Sequence, residues 1–339
     1  MSSQSEASVA PPALSPAWGA RVDVLRRDYT HGASWIARHA CALLATCAGE
    51  QRAAQHRRAS DTSEFAESAA LAALAWELAW MRPSMAAVAS AIAQVWARAV
   101  PPLGDISGAA PGARIEQLQA TAREIATSGA AALDAIERHA LPLLRDPVFT
   151  LSRSATVERV LLAAARARAS NTPLRVIVAE SEPGSEWLKL ATSLREAGAS
   201  VTVVADTAMA VAMKDARMLL LGADSVRDDG AVVNKAGSCA AALVANEYAL
   251  PIYALFERLK ITPTSYPLVL EPAPTRSRPR RREEVVSWLF DVTPAHAISA
   301  YITEDGNLPL ETIAQVAADG DSALMALKQY VDQARQAPQ

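Results

Sequence analysis

Met218-Leu219-Leu220-Leu221-Gly222-Ala223-Asp224-Ser225 is a short apolar run that stops on a glycine and a carboxylate. Four apolar residues alone fit a buried strand or a piece of helix equally well. The neighbouring sequence separates the two. Comparable runs stand at residues 174–179, 201–205 and 252–255, and helical stretches at 186–197, 207–213 and 238–249 alternate with them. Strand, helix, strand, helix in that order predicts a parallel sheet with helices on both faces. The first three runs end in polar residues, at Glu180, Asp206 and Asp224. Open α/β sheets bind ligands outside the carboxyl ends of their strands, so a site is expected to draw on these three carboxylates.

Upstream of Asp146-Pro147 the pattern is different. Residues 1–17 are rich in Ser, Ala and Pro and read as a disordered tail. From there to residue 146 only helical periodicity appears. Ile36, Ala40, Leu43, Leu44 and Cys47 share one stripe, with Cys41 at its edge. Helices are expected over 63–81 and 85–100, separated by Arg82-Pro83-Ser84, and over 114–144 with a break near Gly129 or Pro142. The expected architecture is therefore α/β: an N-terminal all-helical domain over 18–146, followed by a Rossmann-like parallel-sheet domain over 147–335. No internal repeat is visible.

Composition narrows the function. The chain has 339 residues, 51% hydrophobic and 20% charged, with a net charge of −3. That balance is globular and argues against a nucleic-acid-binding surface. Three cysteines without a metal-like spacing suggest neither a disulfide framework nor structural zinc. The start lacks a signal peptide, and no apolar run reaches membrane-spanning length without a charge. A cytoplasmic protein without membrane partner, metal or cofactor is the expectation. No Gly-x-Gly-x-x-Gly, Walker sequence or serine elbow is present. Only 5 of the 33 basic residues are lysines, at 189, 214, 235, 260 and 328. Arg276, Arg278, Arg280, Arg281 and Arg282 crowd a proline-rich segment within 272–282, read as a solvated loop.

Gly222-Ala223-Asp224 followed by Asp229-Gly230 and Asn234-Lys235-Ala236-Gly237-Ser238 closely resembles a signature of the initiation factor 2B alpha/beta/delta subunit family. That family also contains methylthioribose-1-phosphate isomerase and ribose-1,5-bisphosphate isomerase. Gly32-Ala33-Ser34, Arg82-Pro83-Ser84, Thr150-Leu151-Ser152-Arg153-Ser154, Glu180-Ser181-Glu182-Pro183, Phe290-Asp291-Val292-Thr293-Pro294 and Thr303-Glu304 are similar to further family motifs, in the family's order. The resemblance implies a homodimer and a site in the cleft between the domains. It implies a phosphorylated sugar or nucleotide as small-molecule partner.

Carried over by position, Asp224 stands at the isomerases' catalytic aspartate and Ser152 at their catalytic cysteine. Arg82, Asn234, Lys235, Gly32, Ala33 and Glu186 stand at substrate-contacting positions. The chemistry needs an acid–base pair because a C1 phosphate blocks spontaneous ring opening of the sugar. A hydroxyl at Ser152 cannot match a thiol as an acid near neutral pH. His31, Glu182 and Glu186 replace arginine, arginine and glutamine, and make the pocket less hospitable to a bisphosphate. The helix starting at Ser238 is expected to aim N–H groups into the site, and the same helix end would stabilise a Cys239 thiolate, although a packed small residue is the plainer reading. Lys260 reads as structural. Two functions follow: an aldose-1-phosphate to ketose-phosphate isomerase, or a non-catalytic sugar-phosphate or nucleoside-monophosphate binding protein resembling the regulatory subunits.

Overall fold

A computed structural model describes residues 14–28, 31–57, 64–99, 111–169, 171–182, 184–270, 272–273 and 286–336. The arginine-rich loop and residues 1–13 of the expected tail lie outside the described residues. Helix α1 (Pro16–Arg26) begins inside that expected tail, because the Ser15 side chain accepts from the Trp18 amide and Pro16 starts the first turn. Helices α2 (Ala33–Arg57), α3 (Glu64–Trp80), α4 (Ala86–Ala99), α5 (Pro111–Thr127) and α6 (Gly129–Ala140) follow. The long helix expected over 114–144 is thus two helices, parted at Ser128 and ended by a short turn holding Pro142.

Alternation then sets in. It runs β1 (Val148–Leu151), α7 (Ala155–Arg166), β2 (Arg175–Ala179), α8 (Glu186–Glu196), β3 (Ser200–Val204), α9 (Met209–Ala212) and β4 (Met218–Leu221). A hairpin of β5 (Ser225–Val226) and β6 (Val232–Lys235) precedes α10 (Ser238–Glu247) and β7 (Ile252–Leu255). The chain closes with β8 (Phe290–Thr293), β9 (Ala300–Thr303), β10 (Gly306–Asn307) and α11 (Leu310–Gln336). The fold is α/β, helical first and sheet-based after. Sequence reading found four of the strands. It missed β1 because four residues behind a proline look like a helix terminus.

Seven strands form the main sheet in the order β10-β9-β7-β4-β1-β2-β3, all parallel except β10. Strand residues alternate between its faces. Val148, Val176, Val178, Met218 and Leu220 pack under α6, α7 and α8. Phe149, Leu151, Ile177, Leu219 and Leu221 pack under Met209 and Met213 and under α10 through Ala241, Ala242 and Ala245. β5, β6 and β8 make a second, antiparallel sheet.

The helical layer has its own core. Ile36, Ala40, Leu44 and Cys47 of α2 meet Leu74 and Leu78 of α3 and Ile92 of α4. Cys41 is fully buried there, not at an edge, and burial pushes its thiol up to about 12. The last helix joins the two cores. Its Ile313 and Ala317 pack beside the sheet, while Leu324, Leu327 and Val331 enter the helical core. Ser90 of α4 donates to the Ile261 carbonyl (2.7 Å) and Tyr266 to the Ala79 carbonyl (3.0 Å), which adds polar stitches across the same boundary. Leu327 has no exposed surface. Leu327→Ala is expected to cost about 2–5 kcal/mol in denaturant unfolding, through lost burial and the cavity left behind.

Candidate functional site

In chain order β1, β2 and β3 step outward to one edge of the sheet, and β4 returns to the other side of β1. Loops leaving β1 and β4 therefore diverge, and a crevice opens at their carboxyl ends. Ser152 follows β1 and Asp224 follows β4. That position explains why Asp224 is at the crevice while Glu180 and Asp206, which end β2 and β3, are not among its lining residues. Asp206 instead accepts the amides of Ser181 (2.7 Å) and Glu182 (2.8 Å) and shapes the loop after β2. Glu182 is exposed and does not line the crevice either.

The helical layer roofs this crevice into a cavity of about 640 Å³. Asp224, Ser152, Arg82, Asn234, Lys235, Gly32, Ala33 and Glu186 all line it. Each comes from a different constraint. Arg82 is buried between α3 and α4, where it donates to the Asp28 carbonyl. The β5–β6 hairpin folds back so that the Asp224 amide reaches the Val233 carbonyl (2.8 Å), which carries Asn234 and Lys235 beside Asp224. Asn234 donates to Ser238 Oγ (2.8 Å), and Ser238 to the Lys235 carbonyl (2.7 Å). Ser152 holds a left-handed backbone (φ 57°), fixed by its amide bond to Ser181 Oγ (2.7 Å). Non-glycine residues keep that conformation only where their surroundings impose it.

Asp224 keeps part of its surface open to the cavity, yet enough protein surrounds it to push its pKa up. Lys260, Lys235 and Arg82 oppose that rise without cancelling it. Lys260 Nζ donates to the Ala223 carbonyl (2.6 Å), so it braces the loop as expected and also lines the cavity.

Two helix starts reach the lining: Gly32 to Trp35 at α2, and Ser154 to Thr156 at α7. Free N–H groups at a helix start favour an anion. The start of α10 behaves otherwise. Asp291 accepts from the amides of Gly237 (2.7 Å) and Cys239 (3.2 Å), so those donors are consumed internally, contrary to the expectation. Cys239 lies outside the lining, and burial with the Asp291 charge raises its pKa, the reverse of thiolate stabilisation.

Several lining residues escaped sequence reading. Arg38 of α2 pairs with Glu257, which follows β7, across the cavity. Gly129 permits this reach, since any side chain there would strike the Arg38 guanidinium. Trp35 stacks between His31 (3.7 Å) and His39 (3.4 Å), and His31 Nδ1 lies 2.7 Å from Asp28 Oδ2. Nothing in the sequence marked Arg38. Glu257 stands three residues before Lys260, in the segment Glu257-Arg258-Leu259-Lys260, and that spacing is the one sequence signal for it. Among the described residues, no group of three His, Cys, Asp or Glu could hold a metal, and no helix is long and apolar enough to cross a membrane.

Comparison with known proteins adds the following. The Initiation factor 2 subunit family matches residues 29–310. A relative in Pyrococcus horikoshii, named for its likeness to translation initiation factor eIF-2B subunit 2, is 30% identical over 287 residues, 83% of this chain and 92% of its own. A ribose 1,5-bisphosphate isomerase of Haloferax volcanii is 31% identical over 150 residues, 41% of this chain and 46% of its own. The crystal structure of Pyrococcus horikoshii OT3 translation initiation factor eIF-2B superposes with a TM-score of 0.68 at 26% identity, covering 87% of this chain and 98% of that one.

Gly222 links fold and cavity. A methyl group there would collide with the Ser154 side chain, which caps α7 by accepting from the Val157 amide. Gly222→Ala is expected to lower stability by about 1–3 kcal/mol and to weaken any anion bound at that helix start. Denaturant unfolding and phosphate titration on one sample would check both.

Proposed function

The chain belongs to the initiation factor 2 subunit family, and on that premise we propose that its cavity binds a sugar 1-phosphate and converts the aldose to its ketose isomer. The observation that carries this reading is Asp224: a carboxyl whose pKa burial raises, on a cavity wall that also bears Arg82, Lys235 and Lys260. A raised pKa keeps the acid form available towards neutral pH, as a general acid requires. Simple phosphate binding has no use for it. The α7 start and the lining cations supply the phosphate contacts. Ser34 Oγ and Arg38 Nε, buried without hydrogen-bond partners among the described residues, are further donors for a polar ligand.

In this reading Asp224 gives its proton to the ring oxygen as the bond from C1 to that oxygen breaks. A hydride moves from C2 to C1, and the C2 hydroxyl becomes a carbonyl as its proton returns to Asp224. Substrate and product are isomers, so nothing else is consumed. In this chain one carboxyl then performs both of the proton transfers for which the isomerases use an acid–base pair, with the Ser152 hydroxyl as a positioning group. The second reading, a non-catalytic sugar-phosphate or nucleoside-monophosphate sensor, is favoured by that same Ser152, since the isomerases' thiol is missing. In either case the proposed assembly is a pair of copies.

Asp224→Asn is expected to abolish ketose formation while the fold stays intact. The stability sign follows from linkage. A carboxyl with a raised folded-state pKa penalises the fold as pH rises and it ionises, so a neutral amide removes a penalty. The variant should melt at or above wild type at pH 7. Turnover at saturating sugar phosphate is expected to hold at low pH and to fall as pH climbs past the raised Asp224 pKa. Ser152→Cys is expected to raise turnover. Equal background rates in wild type, Asp224→Asn and Ser152→Cys, beside tight sugar-phosphate binding, would favour the sensor.

A further inference from the structure

The amino ends of the strands carry a second polar groove, which shares no lining residue with the cavity of Ser152 and Asp224. We propose that this groove is an anion site that takes a phosphoryl group between Arg175, Lys214 and Arg217.

The fold opens it. A parallel sheet is normally covered on both faces, and its strands are then apolar throughout. Here α7 and α8, of 12 and 11 residues, cover one face. On the other face the crossover from β3 to β4 holds only the four residues of α9 and two short turns. Side chains alternate, so Arg175, Ile177 and Ala179 of β2 share that face with Ser200, Thr202 and Val204 of the edge strand β3. Towards the carboxyl end Ala179 and Val204 pack into the core with Met209. Towards the amino end Arg175, Ser200 and Thr202 are exposed, and a groove of about 530 Å³ lies between them and Lys214, Asp215 and Arg217. The polar residues thus stand where the short crossover stops covering the sheet.

Charge then selects the ligand. Asp146, beside the groove, accepts from both Arg168 (2.6 Å) and Arg175 (3.1 Å), so one carboxylate serves two guanidinium groups. Lys214 and Arg217 form no ion pair among the described residues, and Asp215 is the one carboxylate in the described lining. Four cations against two carboxylates leave two positive charges at this end of the sheet, in a chain of net charge −3. A phosphate monoester carries about −1.5 to −2 at pH 7 and matches that excess. Arginine offers its oxygens a planar fork and lysine a point charge. The Ser200 and Thr202 hydroxyls are further donors, and buried Ile177 gives an apolar floor to the rest of a small phosphorylated molecule. The Arg217 amide donates to the Pro147 carbonyl (2.8 Å), so the groove spans the starts of β4 and β1, the two strands that lead to Asp224 and Ser152. Each has four residues, which puts about 13 Å of strand between the two sites.

Labelling of the full chain with pyridoxal 5′-phosphate tests the site, because its phosphate seeks an anion site while its aldehyde condenses with a lysine amine and releases water. The imine is fixed with borohydride and mapped over the five lysines. Lys214 is expected to label about tenfold faster than Lys189 and Lys328, which are also exposed. Inorganic phosphate and glycerol 3-phosphate should each protect Lys214, the more potent of the two identifying the source of the phosphoryl group, and sodium chloride at equal ionic strength should not. Arg217 is exposed, so Arg217→Gln should fold as wild type does and raise the phosphate concentration for half protection about tenfold. Labelling of Lys214 at the rate of Lys189 and Lys328, or equal protection by chloride, means a diffuse basic surface and overturns the site, as does protection unchanged in Arg217→Gln. Lys235 and Lys260 report on the cavity in the same map, so failure at Lys214 leaves the proposed activity untouched.

Discussion

The reversal of strand order between β1 and β4 is the constraint on which the site depends. Parallel neighbours cannot be joined by tight turns, so each strand is followed by a crossover that sends the chain to the next position in the sheet. Where successive crossovers run in opposite directions, their loops part. Ser152 and Asp224 sit on the two loops that part here. Close packing beneath them is strict, since Gly222 leaves no room for a side chain beside Ser154. The same geometry removes Glu180 and Asp206 from the crevice, because β2 and β3 lie away from the reversal.

A crevice between two loops becomes a cavity only when the helical layer is held over it. Hydrophobic burial does most of this through α11, whose two halves enter different cores. The Arg38–Glu257 pair adds direction to that attachment. Both side chains line the cavity, so the contact that joins the layers is also part of the cavity wall. Buried pairs of this kind contribute more to geometry than to net stability.

Helix ends show how local chemistry assigns roles. α7 and α2 bring their starts to the cavity, whereas α10 spends its first amides on Asp291. Identical backbone geometry thus presents a helix start to the cavity in two places and is capped internally in a third. Asp224 is the opposite case, a carboxyl placed where burial works against its charge. Burial of that kind favours the protonated form over the charged one.

The period change after Pro147, the abrupt ends of the apolar runs and the order of short motifs are all legible in the sequence. They suffice for an α/β chain with helices first, and the resemblance of the motifs to those of the family points to Asp224, Ser152, Arg82, Asn234, Lys235, Gly32, Ala33 and Glu186. Those features are local, set by residue type and spacing, which a linear text preserves. What the text could not carry is which strand ends meet. β1 is too short to show periodicity, yet it lies at the reversal. Arg38 and Glu257 are 219 positions apart and come together only because α11 and the cores fix one layer on the other. Asp291 reaches the amides of α10 through pairing of β8 with β6, so the fate of Cys239 is likewise tertiary. Sequence determined which groups are available; packing decided which of them share a low-dielectric space, and therefore which charges oppose, pair or shift.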